Sequence, residues 1–305
     1  MDIYLPIAEF SANIFVLLGL GLGVGFLSGM FGVGGGFLMT PLLIFIGIPP
    51  VVAVGTGTNL IVASSVSAMM AHWRRGNVDF RMGSLLFSGG LVGAWFGVEL
   101  FRELREAGQI ELVITLSYVV FLLAVGLLMG VESTRALFRQ SRRIRTKANY
   151  HTWIHGLPFK LRFRESKLYV SAIPPVLIGV AMGLLASFMG VGGGFIMVPV
   201  LIYIIGMPTS VVIGTSLLSI IVISGMSSFA HAISNQNVDI VLALILAIGA
   251  VVGAQYGTKL SLRLKAEQLR GLLALMVLAV AGRLIFTLTS EPSELFSITI
   301  VGNSN

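Results

Sequence analysis

Residues 25–44 read GFLSGMFGVGGGFLMTPLLI, and residues 183–202 read GLLASFMGVGGGFIMVPVLI. The hexapeptide GVGGGF at 32–37 recurs at 190–195, 158 positions later. The register continues downstream. Pro41 matches Pro199, and after a one-residue insertion Pro49 matches Pro208, Gly55-Thr56 matches Gly214-Thr215 and His72 matches His231. After a second insertion Asn77-Val78-Asp79 matches Asn237-Val238-Asp239, and Gly89, Gly93 and Gly97 match Gly249, Gly253 and Gly257. The two halves therefore read as copies. Three consecutive glycines cost a helix about 1 kcal/mol each relative to alanine. Each copy is expected to break its helix there.

The surroundings of the motif decide the class of protein. Of 305 residues 56% are apolar and only 11% are charged, whereas soluble domains carry about 25% charged residues. A soluble enzyme is excluded, and so is a disordered chain, which needs high charge and low hydrophobicity. There is no cysteine, which removes disulfides, thiolate metal sites, cysteine nucleophiles and iron–sulfur clusters together. Apolar segments span 12–31, 36–47, 50–72, 82–101 and 109–130, then 170–189, 194–206, 208–231, 240–260 and 268–289. Most are long enough for a hydrocarbon core about 30 Å thick. The short ones, 36–47 and 194–206, reach only about 18–20 Å as helices, so each reads as part of a broken span. The stretch MDIYLPIAEF lacks Lys and Arg, so it has no basic region of the kind that opens a cleaved signal peptide.

Basic residues give the topology. Ten of the 20 Lys and Arg lie between Arg135 and Lys167, three more are Arg74, Arg75 and Arg81, and four are Lys259, Arg263, Lys265 and Arg270. Positive loops stay inside. Counting every segment as a crossing gives five per half, which inverts the second half and puts 17 of the 20 basic residues inside, with both termini outside. Counting four per half makes the halves parallel and puts the last cluster outside. The expectation is thus an all-α integral membrane protein of two inverted repeats. The divisions are 1–131 for the first repeat, 132–169 for a basic cytoplasmic loop, 170–290 for the second repeat and 291–305 for a tail. Inverted repeats are the plan of many secondary transporters, which bind substrate near the midplane. The basic loop, beside a span, is expected to touch anionic lipid rather than nucleic acid. The series Gly21/Gly25/Gly29, Gly89/Gly93/Gly97 and Gly249/Gly253/Gly257 are spaced for close helix packing.

Candidate binding residues follow from the breaks. Gly34, Gly35, Gly36, Gly192, Gly193 and Gly194 free backbone groups that lipid cannot satisfy, and the helix starts that follow favour an anion. The plainer alternative is a crossing so tight that only glycine fits. Thr56, Thr58 and Asn59 in the first copy, and Thr215, Ser216 and Ser219 in the second, offer uncharged hydrogen bonds to an oxyanion. Bonding back to the preceding turn is the alternative. His72 and His231 end corresponding segments and are candidates for proton coupling, although anchoring at the interface is the favoured reading. Arg283 either snorkels to the surface or pairs with substrate. No metal-ligand spacing, nucleophile elbow, triad or acid pair stands out. No cofactor is expected, and an intramembrane enzyme is disfavoured.

The residues at 25–44 and 183–202, with the Pro-x-x-x-x-x-Gly-Thr stretch after each, resemble the sulfite exporter TauE/SafE family of membrane permeases. The resemblance covers about 32–131 and 190–290. It implies transport of sulfur-containing anions such as sulfite, sulfoacetate or other organosulfonates, driven by an ion gradient, with placement in the bacterial inner membrane. A passive anion channel, or an uptake permease for another small carboxylate or oxyanion, would use the same breaks.

Overall fold

The computed structural model describes residues 2–139, 158–163, 165–261 and 266–289. Among them each half presents its elements in the same order. The first half has β1 (Asp2–Leu5), β2 (Phe10–Asn13), α1 (Ile14–Phe31), α2 (Gly36–Ile46), α3 (Pro50–Trp73), α4 (Phe80–Glu106) and α5 (Ile110–Arg139). The second has β3 (Lys160–Phe163), β4 (Leu168–Ser171), α6 (Ile173–Met189), α7 (Gly194–Val200), a π turn (Leu201–Ile205), α8 (Thr209–Ala230), a second π turn (His231–Asn235), α9 (Ile240–Ser261) and α10 (Ala266–Thr289). Among the described residues five helical runs are long and apolar enough to cross a membrane: Ile14–Phe31, Pro50–Trp73, Phe80–Glu106, Val211–Asn235 and Ile240–Leu260. The chain is an all-α integral membrane protein. Its strands form two small antiparallel hairpins, β1–β2 and β3–β4.

Local sequence sets the helix ends. The Asn13 side chain caps α1 by accepting from the Phe15 amide at 3.0 Å. Pro50 stands in the first turn of α3, where its missing N–H costs nothing. Asp79 and Asp239 cap α4 and α9 by accepting from Met82 and Leu242, each at 3.0 Å.

Glycine spacing then decides which helices touch. Gly21, Gly25 and Gly29 of α1 lie on the backbone of Leu246, Ala250 and Ala254 in α9. Gly89, Gly93 and Gly97 of α4 lie on Val176, Val180 and Leu184 in α6. Both series advance together, so each pair runs parallel. A Cβ on Gly21 would stand 2.5 Å from the Leu246 carbonyl oxygen, so only glycine permits this approach. Both tight pairs join one half to the other.

The short arm α2 runs back against α1, the reversal that counting it as a separate segment requires. Gly35 sits against Val24 and Ser28 in the middle of α1, and Gly47, just after α2, lies 3.3 Å by its Cβ direction from the Phe10 ring. Phe10 precedes α1, so α2 turns back to the side from which α1 started. Three further helices, α3, α4 and α5, follow. The start of α3 meets the residues after α8, Gly55 against Asn237, and the start of α8 meets the residues after α3, Gly214 against Asn77. The helices α3 and α8 are therefore antiparallel.

The hairpins have no counterpart in the sequence reading, which assigned 132–169 to a loop. Each hairpin holds an aspartate of the opposite half. Asp239 Oδ2 accepts from the amides of Ile7 and Ala8 at 3.0 and 3.4 Å, and the Asp239 amide donates to Thr56 Oγ1 at 3.0 Å. Asp79 Oδ2 accepts from the Ser166 amide at 3.2 Å and hydroxyl at 2.6 Å, and its amide donates to Thr215 Oγ1 at 2.9 Å. Both aspartates are buried.

Replacing either aspartate strands buried donors and uncaps a helix. The cap is worth about 1 kcal/mol, and each stranded donor about 1–3 kcal/mol. Asp79→Ala and Asp239→Ala are each expected to cost about 3 kcal/mol or more, read as a fall in thermal midpoint of the purified protein in detergent. The Asn variants keep an acceptor and should lose less. An unchanged midpoint in both Ala variants would refute the clamps.

Candidate functional site

At the first break α1 ends at Gly32 (φ +71°), and α2 starts after Gly34 (φ +84°) and Gly35 (φ +76°). At the second, α6 ends at Gly190 (φ +68°), and α7 starts after Gly192 (φ +76°) and Gly193 (φ +68°). These left-handed conformations are open to glycine without a Cβ penalty. The breaks meet each other. A Cβ on Gly36 would stand 2.7 Å from the Gly190 carbonyl oxygen, and one on Gly194 would stand 2.8 Å from the Val33 carbonyl carbon. The Phe37 and Phe195 rings stack with centroids 4.5 Å apart. Thus all six glycines singled out in the sequence, Gly34–Gly36 and Gly192–Gly194, come together.

The antiparallel α3 and α8 run alongside both breaks. Val54 packs on Gly190 and Ile213 on Gly32, while Ile61 touches Gly34, Gly36 and Gly192, and Ile220 touches Gly34 and Gly194. Hydroxyls on these helices serve the freed carbonyls. Ser64 Oγ shares its single proton between Gly34 O at 3.3 Å and Ile61 O at 3.2 Å, and Ser216 Oγ between Gly32 O at 3.3 Å and Ile213 O at 3.0 Å. Neither Gly35 nor Gly193 supplies a side-chain cap, and the first amides of a helix have no partner within it. Such amides suit an anion.

The other sequence candidates are placed as follows. Thr56 and Thr215 are buried acceptors for the Asp239 and Asp79 amides. Thr58 Oγ1 donates back to Gly55 O at 2.7 Å. Ser219 Oγ reaches Thr215 O at 3.1 Å and Gly83 O at 3.4 Å. The buried Asn59 Nδ2 has no hydrogen-bond partner. His72 is buried with neither ring nitrogen paired. His231 is bonded at both, Nε2 to Ser187 O at 2.8 Å and Nδ1 to Asn235 Nδ2 at 3.1 Å. A carbonyl only accepts, so Nε2 carries the proton and Nδ1 accepts from the amide. Arg283 is exposed on α10 with its guanidinium over the Phe45 ring, 5.8 Å from the centroid. Of the basic loop, 140–157 and residue 164 lie outside the described residues. Among the described residues no group of three His, Cys, Asp or Glu comes together.

Sequence reasoning missed Ser65 and Ser224. Both are fully buried, and neither hydroxyl has a hydrogen-bond partner. Each lies beside a left-handed glycine: the Cβ direction of Gly34 ends 3.4 Å from Ser65 Oγ, and that of Gly192 ends 3.4 Å from Ser224 Oγ. The signal was present, since each serine follows its Gly-Thr threonine by nine positions, Thr56 and Thr215.

Comparison with known proteins gives a family. The model described as "Sulfite exporter TauE/SafE" matches residues 17–284. A probable membrane transporter protein of Xylella fastidiosa (strain 9a5c) is 31% identical over 273 residues, 88% of this chain and 94% of that protein. The probable membrane transporter protein YjnA of Bacillus subtilis is 28% identical, covering 87% of this chain and 97% of its own length. "Sulfite exporter TauE/SafE family protein 3" of Arabidopsis thaliana is 30% identical over 109 residues, 35% of this chain and 23% of that protein. No solved structure matches. With the family model covering most of its length, the chain belongs to the sulfite exporter TauE/SafE family.

Proposed function

We propose that this chain is a secondary transporter of small sulfur-containing anions, such as sulfite, sulfoacetate or other organosulfonates, coupled to an ion gradient. The observation that carries this reading is the meeting of the two glycine breaks. There, uncapped helix starts adjoin buried hydroxyls, and the surrounding sequence from 10 to 73 and from 168 to 238 holds no Asp, Glu, Lys or Arg. The helix ends and hydroxyls supply attraction without fixing a counter-charge, which suits a site that must also release its cargo. The family name supports the sulfur chemistry. The antiparallel α3 and α8 support inverted repeats and alternating access around one midplane site. The histidines His72 and His231 are the residues proposed for proton coupling.

Sidedness follows from charge. The ends of α3 and α9 lie with the start of α4 on one side, and Arg74, Arg75, Arg81 and Lys259 go with them. By the positive-inside rule that side, with the 132–169 loop, is the cytoplasmic face of a bacterial inner membrane. In this cysteine-free chain Ser141→Cys and Glu106→Cys should label from opposite faces with an impermeant thiol reagent. Labelling from the same face would sink the inverted arrangement.

Reconstituted vesicles test the activity. Sulfite or sulfoacetate should move against its own gradient when a proton gradient is imposed. Flux that only runs downhill assigns the protein to the passive channels. Gly35→Leu and Gly193→Leu should insert in the membrane yet lose uptake. At both positions a side chain meets a positive φ and neighbours at about 3 Å, Val24 and Ser28 for Gly35 and Met182 for Gly193. Near-normal uptake by either variant would reduce the motif to a tolerant contact.

A further inference from the structure

We infer that Ser65 and Ser224 form a paired hydrogen-bond site for a singly charged oxyanion, a preference that rests on the transport reading above. Buried hydroxyls in membrane helices ordinarily donate to their own preceding turn. Several neighbours do so: Thr58 to Gly55 O, Ser64 to Ile61 O, Ser216 to Ile213 O and Ser219 to Thr215 O. Ser65 and Ser224 stand on the same two helices and are fully buried, yet neither hydroxyl has a partner. A buried polar group left unbonded costs about 1–3 kcal/mol. Thr40, Ser187 and Ser227 hydroxyls are unbonded too, but Ser65 and Ser224 occupy corresponding positions, each beside a left-handed glycine of a break, Gly34 or Gly192.

The space between these hydroxyls belongs to two side chains. The Cβ direction of Gly34 ends 3.0 Å from Ile61 Cγ2 and 3.2 Å from Ile220 Cγ2, and that of Gly192 ends 2.8 Å from Ile61 Cγ2. An anion can enter there only when one of these isoleucine side chains rotates away. An anion seated there would accept one hydroxyl proton from each side and the first amides of α2. Nothing in this arrangement neutralises charge. The cost of burying an ion grows with the square of its charge, and without a basic partner a dianion is penalised far more than a monoanion. The geometry therefore selects hydrogensulfite and organosulfonates over sulfate.

Binding to the purified protein in detergent tests this with three probes: methanesulfonate, hydrogensulfite at slightly acidic pH, and sulfate. Methanesulfonate and hydrogensulfite should bind at least tenfold more tightly than sulfate. Ser65→Ala and Ser224→Ala should each weaken methanesulfonate binding about tenfold. Their thermal midpoints should hold or rise, because each removes an unbonded buried hydroxyl. Ser88→Ala, which removes an exposed hydroxyl bonded to Leu85 O on α4, is the control with unchanged affinity. Unchanged affinity in both serine variants, or sulfate binding as tightly as methanesulfonate, overturns the proposal. If the unsubstituted protein binds neither sulfur monoanion, the transport reading falls with it. If it binds both and the serine variants bind equally well, only the serine assignment falls.

Discussion

Gly34 and Gly32 each expose a carbonyl where a helix is broken, and Ser64 and Ser216 reach across from α3 and α8 to meet them. The arrangement depends on this constraint. A helix can be broken inside a membrane only where protein supplies the lost partners. The breaks must therefore lie against polar helices, and those helices must pass through the middle. The serine- and threonine-bearing α3 and α8 take that place. They are flanked by the smooth glycine faces that let α1 meet α9 and α4 meet α6 at backbone contact.

Both tight helix pairs, and both aspartate clamps, join one half to the other. Asp79 is held by Ser166 and Thr215, and Asp239 by Ile7, Ala8 and Thr56. The clamps sit at opposite ends of the α3/α8 pair, with the glycine breaks between them. The ends of the molecule are thereby tied to the same helices that carry the central hydroxyls.

Helix positions were legible in the sequence because hydrophobic length and Gly or Pro punctuation are local. The segment read as 50–72 became Pro50–Trp73, and 240–260 became Ile240–Ser261. Close packing at Gly21, Gly25 and Gly29 was legible for the same reason. The direction of α2 was legible only indirectly, through the placing of basic loops, since a break of four residues, Gly32 to Gly35, permits either continuation or reversal; contacts with Val24 and Phe10 show the reversal. The hairpins were hidden. Strands of four residues carry almost no periodic signal, and what fixes them is an aspartate in the other half. Within the site, glycine announced itself by composition. Ser65 and Ser224 did not, because a serine with a partner and one without look alike in a sequence. The Gly-Thr and Asn-Val-Asp motifs were both visible as repeats, but that each Thr serves the Asp of the opposite half follows only from the antiparallel path of α3 and α8.

The β1–β2 hairpin has a consequence for biogenesis. Ile7 and Ala8 leave the ribosome long before the carboxylate that receives their amides, which lies 232 and 231 positions downstream. The other hairpin finds Asp79 already made, 87 residues before Ser166. The first hairpin must therefore wait, with its turn amides served by water, until α8 has been threaded into the bilayer and Asp239 has followed. Docking of this hairpin is thus a late event of assembly, because it requires Asp239 of the second half to be in place.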